Sequence, residues 1–210
     1  MMASMRPPSV NATRLVLASA SPRRAELLTA AGFAFEIRAA DLDERALQGE
    51  SPTAHVLRLA SAKSALVHDP AMPDQMTLGD DTVVVVDNDI LGKPTSRADA
   101  ATMLRQLSGR EHQVLTGVSL RFGTTELTEV TRTEVEFTAL SEDDIAWYVD
   151  SGEGLDKAGA YAIQGRAARF IPRIRGSYSN VVGLPVSVVA DLATSIVRLA
   201  GRAPDLASSR

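Results

Sequence analysis

The chain has 210 residues, 45% of them hydrophobic and 23% charged, which suits one or two modest domains around a sizeable core. The formal charge of −4 argues against a general nucleic-acid binder. The absence of cysteine excludes disulfides, thiolate metal sites and thiol catalysis, so any metal must sit on oxygen or histidine ligands. No apolar run is long enough to span a bilayer. Residues 1–10 lack an apolar core of the secretory type, so a cytoplasmic address is expected.

Residues 1–13 and 201–210 read as polar, flexible tails around a single domain over 14–200. Leu15-Val16-Leu17-Ala18 is a short apolar run, the pattern of a buried strand. Ser19-Ala20-Ser21 is a small-residue turn, and a helix is expected from there, with Ser21 as N-cap and Pro22 at its first position. Strand, turn and helix start would aim free N–H groups and a partial positive charge at one point. Arg23 and Arg24 add two permanent cations there, an arrangement that attracts phosphate. The glycine-rich forms of this device are absent. An ordinary capped helix with two solvated arginines fits the same letters.

Phe33 to Ile37 can form a second strand, and Asp41-Leu42-Asp43-Glu44 an acidic loop. Ser51-Pro52 opens a long helix to about His68, with Val56, Leu59, Ala60, Lys63 and Val67 near one stripe. Lys63 is the oddity on that stripe; a snorkelling side chain is the plain explanation. Met76 to Val86 reads as a strand interrupted by Asp80 and Asp81, an expensive pair in a buried run unless compensated. Neighbours on a strand point to opposite faces, so one carboxylate can face a cleft and the other solvent or a helix cap. Asp87-Asn88-Asp89 is a hairpin-like turn, and Gly92-Lys93-Pro94 would hold Lys93 in a rigid loop near the Asp81 strand.

Ser96 caps a third helix closed by Gly109. Gln113–Phe122 and Leu127–Phe137 form two strands around the turn Gly123-Thr124-Thr125. Ser141 and Asp144 make a capping box for a helix to Asp150. Residues 151–185 are glycine-rich, and Pro185 starts a last helix to about Leu199. Gln164 is a neutral donor and acceptor suited to the edge of a nucleobase, or to water in a loop. His112, alone before a strand, reads as structural, and Ser21 has no histidine partner, which discards serine catalysis. Helices and strands alternate early and strands pair late, so the fold class is α/β or α+β with a mixed sheet.

Asp80 or Asp81, with Asp43 and Glu44 in the acidic loop, offer enough oxygens for magnesium, which takes one or two protein carboxylates plus water and phosphate. Arg23, Arg24, Lys63 and Lys93 would offset polyphosphate charge, and Ser19 with the turn amides would fix the phosphates.

Several blocks taken together resemble the Maf family, the septum-formation-inhibitor proteins that act as nucleoside triphosphate pyrophosphatases. They are L-x-L-A-S-x-S-P-R-R-x-x-L-L at 15–28, G-x-D-T-V-V from Gly79 and L-G-K-P from Leu91. L-S-G-R-x-H from Leu107, T-G-V from Thr116, D-K-A-G-A-Y-x-I-Q-G at 156–165 and G-S-Y-S-N-V-V-G-L-P at 176–185 complete the set. The resemblance implies a mixed twisted sheet flanked by helices, with a cleft between two lobes, similar to the ITP pyrophosphatases. It implies hydrolysis of the α–β phosphoanhydride of a nucleoside triphosphate with magnesium or manganese, and a homodimer. The family's proton acceptor falls on Asp81, which makes Asp80, where a small residue is usual, a bystander. Family specificity positions fall on Arg23, Thr82 and Gln164, in the pattern of the branch acting on dTTP and UTP, with Thr82 and Gln164 reading the pyrimidine. The branch preferring 7-methyl-GTP has a bulky aromatic, a Gln and a Glu there. The alternatives are an ITP/XTP-type or 7-methyl-GTP enzyme, or a nucleotide-binding regulator of septum formation without turnover. An acid pair repels an anionic ligand, which favours the enzyme. No nucleic acid and no membrane is expected as a partner.

Overall fold

The computed structural model describes residues 14–72 and 74–200; the two tails expected from the sequence lie outside the described residues. One mixed sheet runs through the protein. Its strands are β1 (Arg14–Leu17), β2 (Phe35–Ile37), β3 (Gln75–Val86), β4 (Asp89–Leu91), β5 (Glu111–Phe122), β6 (Thr125–Glu136) and β7 (Arg173–Arg175). The order is β2-β1-β3-β5-β6-β7, with β4 also on β3. β1 lies parallel to β2 and β3, and every other pairing is antiparallel. The helices are α1 (Pro22–Ala30), α2 (Pro52–Val67), α3 (Arg97–Leu107), α4 (Glu142–Asp150), α5 (Tyr178–Val182) and α6 (Val186–Ala200). Short 3-10 turns cover Ala158–Ala160 and Arg166–Phe170.

The apolar run at β1 is buried on both faces, as parallel strands are, and α1 follows directly. Ser21 stands at the N-cap with Pro22 after it, but its side chain makes no cap hydrogen bond, contrary to the expectation. Its own N–H donates to Ser19 Oγ at 3.2 Å, so the first-turn amides are not taken by Ser21. Ser51 does cap α2, accepting from Ala54 N, and Ser141 and Asp144 form the expected capping box. Asp87 and Asn88, at φ 51° and 70°, form the tight two-residue hairpin between β3 and β4.

The central strand β3 decides where the cleft falls. Its first residues, Gln75–Leu78, pair with β1, and its last, Val84–Val86, with β4. Between them, Gly79–Val83 pair only with β5, so on the other side the sheet is interrupted for five residues. Two cores flank that interruption. Leu15, Leu17, Met76, Leu78 and Leu120 pack with Leu28 of α1 and Val189 and Ile196 of α6. Val84, Leu91, Leu104, Val114, Phe137, Tyr148 and Phe170 form the other. Each fully buried side chain of this size contributes roughly 1.5–3 kcal/mol. These are the two lobes implied above.

Helix α2 lies against the opposite face of β3 and β5. Gly79 and Gly117 make that approach possible: a Cβ at Gly79 would stand 2.2 Å from the Ala60 carbonyl oxygen, and one at Gly117 2.4 Å from that of Val56. Helix backbone thus rests on strand backbone, which brings the α2 side chains level with Asp81.

Candidate active site

The interruption in the sheet opens into a cleft of about 130 Å³. It is lined by Arg23, Arg24, Glu44, Lys63, Asp81, Thr82, Lys93 and Gln164, which come from α1, the acidic loop, α2, β3, the loop after β4 and the glycine-rich segment. Of the site residues expected from sequence, only Ser19 is not on the wall; Ser21 takes that place. Ser19 is buried behind it, its Oγ accepting from Ser21 N and from Arg24 Nη1 at 3.0 Å. It braces the turn and the arginine.

Asp81 faces α2. Its Oδ1 accepts from Lys63 Nζ at 2.8 Å, and the same ammonium lies 2.6 Å from Glu44 Oε1. Lys63 is therefore no snorkelling side chain: it is 5% exposed and held between two carboxylates. Partial burial pushes the Glu44 carboxyl up, but the Lys63 hydrogen bond and charge outweigh it and hold the group below its ordinary value. Two carboxylate oxygens that converge on one cation suit a magnesium or manganese ion, which completes its shell with water and phosphate oxygens. Among the described residues no cluster of three or more His, Cys, Asp or Glu forms a dedicated metal cage.

His55 was not singled out by the sequence reading. It is buried on α2, its Nδ1 3.1 Å from Glu50 Oε2 and its Nε2 4.0 Å from Asp81 Oδ2. Glu50 accepts from Arg58 Nε at 2.6 Å, and that bond above all holds its pKa down to about 2. An ionised Glu50 requires a proton on Nδ1 of His55, which fixes the ring. The signal was available: His55, Leu59 and Lys63 are spaced by four along one helix face.

Asp80 corrects the expectation of a solvent-facing or helix-capping acid. It is wholly buried on the face opposite Asp81. Its Oδ2 touches Arg24 Nε, yet neither carboxylate oxygen has a hydrogen-bond partner. The Nε hydrogen goes instead to Gly183 O at 3.0 Å. Complete burial pushes the Asp80 pKa up to about 6, against the pull of Arg24 and Lys63.

Arg24 joins four segments. Besides Gly183 and Ser19 it reaches Thr82 Oγ1 at 3.3 Å. Thr82 Oγ1 also lies 2.9 Å from Thr116 Oγ1 and donates to Gly183 O at 3.2 Å, so its hydroxyl is engaged within the protein. At the mouth Arg23 donates to Asp156 at 3.0 Å, and Asp156 also accepts from Lys157 at 2.6 Å. Lys93 has no ion-pair partner among the described residues; its loop is tied by Gly159 N donating to Gly92 O at 3.1 Å. Gln164 is exposed at the far wall. His112 is structural as expected: buried, pushed down to about 4 by desolvation, and 2.8 Å from the hydroxyl of Tyr161, a wall residue.

With Lys157, the cleft wall carries five cations and three carboxylates, Glu44, Asp81 and Asp156, with Asp80 buried outside the wall, in a protein of net charge −4. Such a local field attracts a polyanion.

This is an α/β protein with an acid-and-base cleft at a break in its sheet. The chain belongs to the Maf family: the family model described as "Maf-like protein" matches residues 14–196. It is 51% identical over 185 residues to the dTTP/UTP pyrophosphatase of Anaeromyxobacter dehalogenans (strain 2CP-C), covering 86% of this chain and 93% of that protein. It is 50% identical over 181 residues to the dTTP/UTP pyrophosphatase of Symbiobacterium thermophilum, with the same coverage. Among solved structures it is similar to a nucleoside-triphosphatase / dITP/XTP pyrophosphatase from Mycobacterium abscessus, at 15% identity and a TM-score of 0.43 over 89% of this chain and 98% of that one. A likeness that distant decides nothing about the site. No helix among the described residues is long and apolar enough to cross a membrane.

Proposed function

We propose that the chain hydrolyses dTTP and UTP to the monophosphate and pyrophosphate, with a divalent metal ion and with Asp81 as proton acceptor. The observation that carries this reading is the convergence of Glu44, Asp81 and Lys63 in one cleft with Arg23, Arg24, Lys93 and Gln164. The names of the relatives at about half identity support the pyrimidine choice.

Water attacks the α-phosphorus, its proton passes to an Asp81 oxygen, and the bond to the bridging oxygen breaks, releasing pyrophosphate. Glu44 and Asp81 would hold a magnesium or manganese ion, which would supply Lewis-acid polarisation of the phosphoryl oxygens. Lys63 keeps Asp81 oriented by its 2.8 Å hydrogen bond. Arg23, Arg24 and Lys93 offset the charge that gathers on the leaving group, and the turn braced by Ser19 presents its amides to the phosphates. Gln164 hydrogen-bonds the pyrimidine edge, and Thr82 completes that wall while anchoring Arg24. A cytoplasmic address and a homodimer belong to the same reading.

The test is a screen of common and modified nucleoside triphosphates, ITP and 7-methyl-GTP included, with magnesium or manganese, scored by pyrophosphate. Preferential release from dTTP and UTP is expected. Release from ITP or 7-methyl-GTP in preference, or tight binding without turnover, would overturn it.

A further inference from the structure

Asp80 plays no part in the chemistry above, yet among the described residues it is a wholly buried carboxylate with neither oxygen hydrogen-bonded. It is 0% exposed, its neighbours on the same sheet face include Leu78 and Val118, and no hydrogen bond reaches it. A buried carboxylate in that state is costly. Its one polar contact is the back of Arg24, at Nε. The guanidinium itself is held by three neutral oxygens, those of Gly183, Ser19 and Thr82. Neutral acceptors hold a cation weakly against a polyphosphate, which would draw it forward into the cleft. Among the described residues Asp80 is the one carboxylate touching Arg24, and it is buried away from the cleft wall.

Resting on the polyphosphate reading of this cleft, we propose that Asp80 is a positioning residue for Arg24. Its buried charge holds the guanidinium back, so the cleft does not over-bind triphosphate or its pyrophosphate product. Two consequences have opposite signs. Removing the charge strengthens ground-state grip and slows turnover, because binding gained before the transition state does not lower the barrier. It also removes a wholly buried carboxylate whose desolvation no hydrogen bond repays, so the fold becomes more stable. A residue with a merely structural role would lose stability and activity together.

The experiment uses the full-length chain carrying Asp80→Asn or Asp80→Ser, each in the wild-type and the Arg24→Gln background. Pyrophosphate release from dTTP with magnesium gives kcat and KM. Calorimetric titration with inorganic pyrophosphate in chelator gives its Kd, and thermal unfolding gives Tm. Both variants should lower the pyrophosphate Kd and the dTTP KM by about tenfold, the size of one unit charge removed near the ligand. Their kcat should fall and their Tm rise. With Arg24→Gln present the tenfold gain should disappear. A pyrophosphate Kd unchanged or weaker in the Asp80 variants overturns the proposal, and so does an equal gain with and without Arg24. If Asp80→Asn does not fold, the same readings on Asp80→Ser decide. If the wild-type chain releases pyrophosphate from no nucleotide, the enzymatic reading fails; the pyrophosphate Kd still decides the role of Asp80.

Discussion

Adjacent residues of β3 carry carboxylates into unlike surroundings. On the α2 face Asp81 meets an ammonium at 2.8 Å and a second acid on the same ammonium, both on the cleft wall, and a buried imidazole at 4.0 Å. On the α1 face Asp80 meets apolar side chains and the back of one arginine, with no hydrogen bond. The same functional group is equipped for chemistry on one side and is an energetic load on the other. Strand alternation separates them, and the packing of the neighbouring helix supplies the difference.

The sharpest way to break the contrast is Asp81→Asn. It should cut kcat for pyrophosphate release by about a thousandfold. The chain should still fold, with a lower melting temperature, since buried Lys63 keeps Glu44 but loses Asp81. Near-wild-type turnover at matched metal would remove Asp81 from the chemistry. Substitution of Asp80 should show in stability. The folded chain raises its pKa from 3.8 to about 6, so the fold favours the protonated acid. Stability from this group is fullest below the unfolded value near 3.8 and is lost as pH rises through about 6. The loss comes to roughly 3 kcal/mol. Urea unfolding at pH 4 and pH 7 should therefore show Asp80→Asn gaining on the wild type by about that amount at the higher pH. His112, pushed down to about 4, shifts stability the other way, but it is common to both proteins and cancels. A difference that does not grow with pH would show Asp80 to be better solvated than its burial indicates.

Gly79→Ala probes why the α2 face is so close. Its Cβ would stand 2.2 Å from the Ala60 carbonyl oxygen. A loss of about 2–3 kcal/mol in denaturant unfolding is expected. Lys63 should then be carried away from Asp81, with a fall in turnover beyond that explained by unfolding. The smallest effect belongs to the far wall. Gln164→Glu should change the rates on dTTP, UTP and 7-methyl-GTP relative to one another by several-fold, about 1 kcal/mol of discrimination. Unchanged ratios would remove Gln164 from base reading.

Much of this arrangement was legible in the sequence where local pattern decides it. The run before Ser19, the Pro22 start, the Ser51 and Ser141 caps and the helical stripe carrying Lys63 each name their element directly. What escaped depends on distant pairing. β7 is three residues with arginine at both ends, and it is a strand only because it pairs with Glu134–Glu136 and its arginines bridge those two glutamates. α5 is one turn capped by Ser177. The partner of Asp80 lies on another element, so alternation told that the two acids diverge but not what each would meet. The break in the sheet comes from where β1 ends and β4 begins along β3, which no window of sequence contains.

The ammonium of Lys63, seated between Glu44 and Asp81, carries a consequence for how the protein is made. Two acids that would share a dication under the proposed function are already reconciled by a cation built into the polypeptide. A nascent molecule can thus mature without waiting for magnesium, and dialysis against chelator should silence it while leaving its melting curve where it was.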